Sequence, residues 1–236
     1  MKDLRPIALI PAFKPDAVLV DITLELVRSD QFQKVVVVNN GNGPEFEAIF
    51  KALEETDGVE VLRLYVNIGK GAGLKAGINH VVCRFPGAVG VVTMDADGQH
   101  LVEDVLKVAA KLIDKPNDLI MGSREFQSDV PLRCRFGNLM SRGVMRIVGG
   151  LNLRDTMSGL RGIPMMFFDP LLRLKTQGYE FELDMLLKAK ADGRVIIEVP
   201  IQTVYINENQ SSHFNPFKDS LKIYWVFIRF FLFKFF

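Results

Sequence analysis

The run Val91-Val92-Thr93-Met94-Asp95-Ala96-Asp97-Gly98-Gln99-His100 holds the densest chemistry in this chain. An apolar, valine-rich stretch ends abruptly in two aspartates spaced i, i+2. In an extended backbone that spacing puts both carboxylates on one face. Two full charges about 4 Å apart repel by roughly 4 kcal/mol at an effective dielectric of about 20. Either one carboxylate takes a proton or a cation sits between them. Gln99 offers a further oxygen, so Asp95, Asp97 and Gln99 read as a seat for a hard divalent ion, Mg²⁺ or Mn²⁺. Such ions prefer oxygen ligands and commonly share them with substrate phosphates. The plainer alternative is a polar turn after a buried strand, with an Asp capping the next helix.

Other motifs lie elsewhere in the chain. Gly69, Lys70, Gly71, Gly73 and Gly77 follow a strand-like run and open a helix-like one. Glycines permit close backbone approach, and a helix N-terminus favours phosphate. Gly71, Gly73 and Ala76 satisfy a dinucleotide fingerprint, but four residues separate them from the strand and the unit is the third, not the first. A nicotinamide-dependent oxidoreductase rests on that match alone. Arg124 ends another strand, where its fork suits a diphosphate. Among Arg133, Arg135, Arg142 and Arg146, Arg135 is the nominee for an acceptor phosphate. In Tyr179-Glu180-Phe181-Glu182-Leu183-Asp184, Glu180 and Asp184 are i, i+4 while Glu182 points elsewhere. A carboxylate here offers a general base. His213 stands just before an apolar tail, where a cation near a membrane would meet an acceptor phosphate.

These residues need a scaffold, and the first half of the chain alternates in a way that supplies one. Strand-like runs occur at Pro6–Ala12, Val35–Asn39, Val59–Tyr65, Ala88–Met94 and Asp118–Gly122. Helix-like stretches lie between them, at Asp16–Arg28, Pro44–Glu55, Lys70–Val82 and Val102–Ile113. That order predicts an α/β fold, a mostly parallel sheet with helices on both faces. Ligands in such sheets bind at the carboxyl ends of strands. Asp95 and Asp97 fall at one such end, Asn39-Asn40-Gly41-Asn42 and Pro11-Ala12-Phe13-Lys14 at two others. The second half is less periodic: a basic helix over Pro131–Val148, a loop from Arg154 to Gly162, a helix over Phe181–Asp192 and a strand at Val195–Val199 closing the sheet.

At 236 residues and a formal net charge of +1, the chain is long enough for one large core and carries no excess of base for bulk nucleic-acid binding. Cys83 and Cys134 read as small core residues, and the N-terminus reads as no signal peptide, so a cytoplasmic setting is expected. From Leu221 the tail is strongly aromatic, interrupted only by Lys222, Arg229 and Lys234. As a helix it spans roughly 24 Å, short of the ~30 Å hydrocarbon core. It docks on the domain, pairs with another chain as a homo-oligomer, or lies in a membrane interface with its cations snorkelling; its aromatic and basic composition favours the last. The expected organisation is one domain over 1–217 and an apolar helix over 218–236, peripheral to the inner face of the membrane.

In order, the segments IPAFKPD, VVVVNNGNG, NIGKGAGLKAG, DADGQH, GSR, RFGN, RDTMSGLRG, YEFELD and EVPI resemble the family 2 glycosyltransferases with the GT-A fold. Within them the pattern is most similar to dolichyl-phosphate mannose synthase and bacterial polyprenyl-phosphate glycosyltransferases. The resemblance implies a single Rossmann-like GT-A domain and transfer from a UDP- or GDP-linked sugar, with inversion, to a polyprenyl phosphate in cell-envelope glycan synthesis. It implies a metal at Asp95, Asp97 and Gln99, phosphate contact by Arg124, and roles carried over to Arg135 and Asp155. Donor contacts are expected from Pro11, Ala12, Phe13, Asn40, Gly69, Lys70, Asp95, Ala96, Asp97 and Arg124. Asp97, Asp155, Glu182 and Asp184 are the catalytic candidates, with Glu182 or Asp184 needed as a base only for a hydroxyl acceptor. One departure stands out: Asn39-Asn40 replaces the usual acid pair at the end of the second strand. The alternatives are a saccharide hydroxyl acceptor and a weakened nucleotide-sugar-binding partner.

Overall fold

The computed structural model describes residues 4–124, 142–143, 145–147 and 149–202. Seven strands form one sheet: β1 (Ile7–Ala12), β2 (Val35–Asn40), β3 (Val59–Leu64), β4 (Gly90–Thr93), β5 (Leu119–Arg124), β6 (Arg161–Pro164) and β7 (Ile196–Ile201). Their order is β3-β2-β1-β4-β6-β5-β7. All pairings are parallel except those of β6, which runs antiparallel to β4 and β5. This corrects the loop expected over Arg154–Gly162, whose last two residues begin β6.

The strands are buried on both faces, so they read as apolar runs rather than alternating ones. Every residue of β2 is buried. Along β1, Ile7 and Leu9 join one core cluster while Ala8, Ile10 and Ala12 join the other. Helices α1 (Val18–Arg28), α2 (Glu47–Glu54) and α4 (Val102–Asp114) cover the second cluster. Helix α3 (Lys70–Arg84), the short helix Phe168–Leu172 and the helix Glu180–Ala191, called here the carboxylate helix, cover the first.

Two expectations change. Cys83 is exposed, because it sits on the outer side of α3 rather than in the core. The backbone between the two aspartates is not extended: β4 ends at Thr93 and Asp97 lies in a turn. Arg133, Cys134, Arg135, His213 and the 218–236 tail lie outside the described residues. Among the described residues no helix is long and apolar enough to cross a membrane.

Candidate active site

Carboxyl ends of β1, β2, β4 and β5 meet at one rim, and the amino end of β6 joins them because β6 is antiparallel. At the end of β2, Asn39 Oδ1 accepts from the Asn42 backbone and side-chain N–H at 3.0 and 2.8 Å. The Asn42 amide also donates to the Ala12 carbonyl at 2.9 Å, and its oxygen accepts the Lys14 N–H. These bonds tie the Pro11-Ala12-Phe13 end of β1 to β2. Asn40 is 3% exposed and donates to the Gly69 carbonyl at 3.2 Å. The amide is thus a tether between β2 and the turn before α3, a bond that a carboxylate could not donate.

That turn is pinned from its other side. Gly69 has φ +111°, and a Cβ there would meet the Gln177 carbonyl oxygen at 2.4 Å. A Cβ on Gly71 would meet Phe181 Cβ at the same 2.4 Å, while the Ala72 N–H donates to Gln177 at 2.8 Å. The glycines therefore permit a close approach, but to the protein's own 177–181 segment. The approach brings Lys70, at the first turn of α3, to the carboxylate helix. Its ammonium lies 2.6 Å from Asp95 Oδ1 and 3.0 Å from Glu182 Oε2.

Burial works against charge on Lys70, but Asp95 and Glu182 outweigh it and raise the ammonium well above its ordinary value. Asp95 behaves conversely. Burial opposes its ionisation, yet Lys70 and His100 hold its carboxyl far below the usual range. His100 Nε2 is 3.6 Å from Asp95 Oδ2, just beyond hydrogen-bond reach. Asp97 has less help. Burial, and then Asp95, pushes its carboxyl up, while its Oδ1 accepts the Gln99 N–H at 3.1 Å. Gly98, at φ +77°, lets the chain turn between them. The two aspartates are electrostatic neighbours, as the spacing implied, through a turn rather than a strand.

On the far side of β6, Arg124 forks onto Asp155, with Nε to Oδ2 at 2.6 Å and Nη2 to Oδ1 at 3.2 Å. Asp155 is fully buried and also accepts the Met157 N–H at 3.0 Å. The Arg154 and Asp155 N–H groups donate to Glu198 of β7 at 2.8 and 3.3 Å. The carboxylate helix sorts its acids by direction. Glu180 accepts the Gln177 and Gly178 N–H groups, Asp184 accepts from Thr176 at 3.0 Å, and only Glu182 is paired with Lys70 at the rim. Glu182 Oε1 is buried without a hydrogen-bond partner.

Four residues escaped the sequence reading. His100 and Glu198 carry no local signal beyond their type. Gly159 leaves room for Asp95, since a Cβ there would lie 2.6 Å from Oδ2. Arg161, fully buried, donates to the backbone carbonyls of Ser158 (3.1 Å) and Glu182, joining the start of β6 to the carboxylate helix. The last two lie inside RDTMSGLRG, where a glycine and an arginine beside the Asp were the available hint.

Residues 8–172 match the family model described as glycosyl transferase family 2. The chain belongs to that family. It is a glycosyltransferase. A UDP-N-acetylglucosamine–dolichyl-phosphate N-acetylglucosaminyltransferase of Methanococcus voltae is 28% identical over 216 residues, covering 84% of each chain. A polyprenol monophosphomannose synthase of Mycolicibacterium smegmatis is 27% identical over 175 residues, 71% of this transferase and 65% of that protein. A crystal structure of glucosyl-3-phosphoglycerate synthase from Mycobacterium tuberculosis with UDP superposes with TM-score 0.68 at 16% identity, covering 96% of this chain and 80% of that one. At that identity the likeness speaks for the fold, an α/β sheet of GT-A type.

Proposed function

We propose that the transferase moves a sugar, with inversion, from a nucleotide-diphosphate sugar to a polyprenyl phosphate at a membrane surface. The observation that carries this reading is the convergence of Asp95, Asp97, Lys70 and Glu182 at one rim, in a chain whose relatives act on dolichyl or polyprenol phosphates. The leaving diphosphate gains negative charge as the glycosidic bond breaks, and cations aimed at it lower the barrier. Lys70 is the described cation best placed for this. Arg124 stands at the same rim, but the buried Asp155 fixes its fork through both oxygens, whereas Lys70 shares one ammonium on a flexible stem between two carboxylates.

The donor set fits a divalent ion that takes part of its coordination from substrate. Asp97 is a carboxylate whose charge the chain leaves under-compensated, and Asp95 adds a second. Among the described residues no cluster of three or more His, Cys, Asp or Glu side chains forms a cage by itself. Mg²⁺ is commonly held by one or two carboxylates plus phosphates. Asp95, Asp97 and the Gln99 amide would hold Mg²⁺ or Mn²⁺, which when bound neutralises charge on the leaving phosphates.

A lipid phosphate is already ionised near neutral pH and needs no general base. A hydroxyl acceptor does need one, and the unpartnered Glu182 Oε1 favours that second reading. The apolar 218–236 segment is proposed to hold the enzyme at the inner membrane face, and Arg135 and His213 to approach the acceptor phosphate. The test offers purified protein UDP- and GDP-sugars with polyprenyl phosphate, in Mg²⁺ or Mn²⁺ and then in EDTA. Lipid-stimulated nucleotide release that EDTA abolishes is the expected result. Release that responds to saccharides and ignores the lipid would hand the site to the second reading.

A further inference from the structure

Lys70 meets the rim with its ammonium already committed. Its Nζ is 2.6 Å from the Asp95 oxygen and 3.0 Å from Glu182, with 16% of the side chain accessible. A divalent ion ligated by that Asp95 oxygen would therefore contact a group that already carries a cation. Pulling Lys70 away unaided would leave Asp95 and Glu182 facing each other without a counter-charge, with Glu182 largely shielded from water. A diphosphate changes this, because its oxygens give the ammonium an equally charged partner.

We propose that Lys70 is an internal counter-ion that makes cation binding at Asp95 conditional on a nucleoside diphosphate. The inference rests on the donor-site reading above and adds an order to it. The diphosphate draws the ammonium off the carboxylates, Asp95 becomes free to ligate the metal, and Glu182 is released in the same exchange.

The backbone supports a side-chain exchange rather than a helix shift. The start of α3 is locked by the contacts of Gly69 and Gly71 with residues 177–181 and by the Ala72 N–H bond to Gln177. The Asn40 amide holds the Gly69 carbonyl from the opposite side. Lys70 alone has reach, through a flexible four-carbon stem with three rotatable donors. Its ammonium also lies 5.7 Å from the centroid of the Tyr179 ring. His100 lies on the side of the other Asp95 oxygen, and Gly159, close to both oxygens, has no side chain to obstruct the exchange.

The experiment measures Mn²⁺ binding to the full chain by the electron paramagnetic resonance signal of the free ion. Wild type and Lys70→Gln are compared alone and with saturating UDP or GDP. Couplings between ligands typically run from about 5- to 150-fold. The expected result is Mn²⁺ binding to wild type about tenfold tighter with diphosphate than without it. Lys70→Gln should bind Mn²⁺ alone about tenfold tighter than wild type does, and lose most of the dependence on nucleotide. If wild type couples Mn²⁺ to nucleotide while Lys70→Gln binds Mn²⁺ alone no better, the counter-ion idea falls and the donor site stands. Equal Mn²⁺ affinity of wild type with and without nucleotide overturns it too, and needs no variant to fold. No Mn²⁺ bound under any condition removes both the inference and the metal-dependent reading.

Discussion

On either side of the start of β6, two charged networks share the rim of the sheet. Lys70, Asp95 and Glu182 form one, with His100 close by; Arg124, Asp155 and Glu198 form the other. In the first, a single ammonium serves two carboxylates, Asp97 is left with a raised carboxyl, and Glu182 Oε1 has no partner. In the second, Asp155 is fully buried and both of its oxygens are taken by the Arg124 fork and backbone N–H groups. A network with every group satisfied holds shape, and one with a shared cation can be rearranged at lower cost. On the proposed reading, chemistry belongs to the β4 side of β6 and rigidity to the β5 side.

The largest effect should separate the two sides directly. Asp97→Ala is expected to cut kcat/KM for transfer by about a thousandfold, on the scale of losing a major electrostatic contact, with unfolding little changed. A variant that unfolds in step with its lost activity would erase the distinction. Asp155→Asn should act the other way, destabilising the fold by about 3 kcal/mol, since it removes a fully buried carboxylate charge from the Arg124 fork. Urea unfolding measures this, and a loss confined to activity would move Asp155 to the chemical side.

Asn40→Asp tests the tether behind Lys70. It sets a carboxylate against the Gly69 carbonyl and should cost about 1–2 kcal/mol of stability; a neutral or stabilising result would make the amide a ligand group rather than a strut. Glu182→Gln keeps an oxygen for Lys70 but removes the base. With polyprenyl phosphate as acceptor, transfer should fall by less than about tenfold, against the 10²–10⁴ of a true general base. A larger loss favours the hydroxyl acceptor.

The pH test is the most subtle. Asp97 has a folded-state carboxyl raised above its ordinary value of 3.8, by burial and then by Asp95, so the folded chain holds this proton to higher pH than the unfolded one. Its contribution to stability is complete below 3.8 and is lost as pH rises through the raised value. Asp97→Asn should therefore melt higher than wild type near neutral pH and converge with it towards pH 3.8. Thermal melts across that range decide the matter, and a variant less stable at neutral pH contradicts the reading.

Some of this was legible in the chain and some was not. The first five strands and four helices follow from apolar runs and turn residues, with ends displaced by up to three residues, and all carry local signals. Strand β6 carried none. Four residues, Arg161-Gly162-Ile163-Pro164, are too few for a periodic pattern, and a buried arginine argues against a strand unless its partners are known. The choice between Glu182 and Asp184 was equally hidden. Helical spacing puts them on different faces, but which face meets Lys70 depends on how the carboxylate helix docks against α3.

By itself the sequence determined the parallel half of the sheet, the carboxylate pair at its rim and the family, because these rest on short-range patterns of apolarity, glycine and charge. Only the tertiary structure decided that the glycine run packs on the protein itself, that Asn40 is a tether, that Arg124 is held by Asp155, and that Lys70 bridges Asp95 and Glu182. Each depends on groups dozens of residues apart, brought within 2.6–3.2 Å by the tertiary packing of strands and helices. At such distances a hydrogen bond or ion pair forms only after the backbone has been placed, and no local pattern encodes that placement.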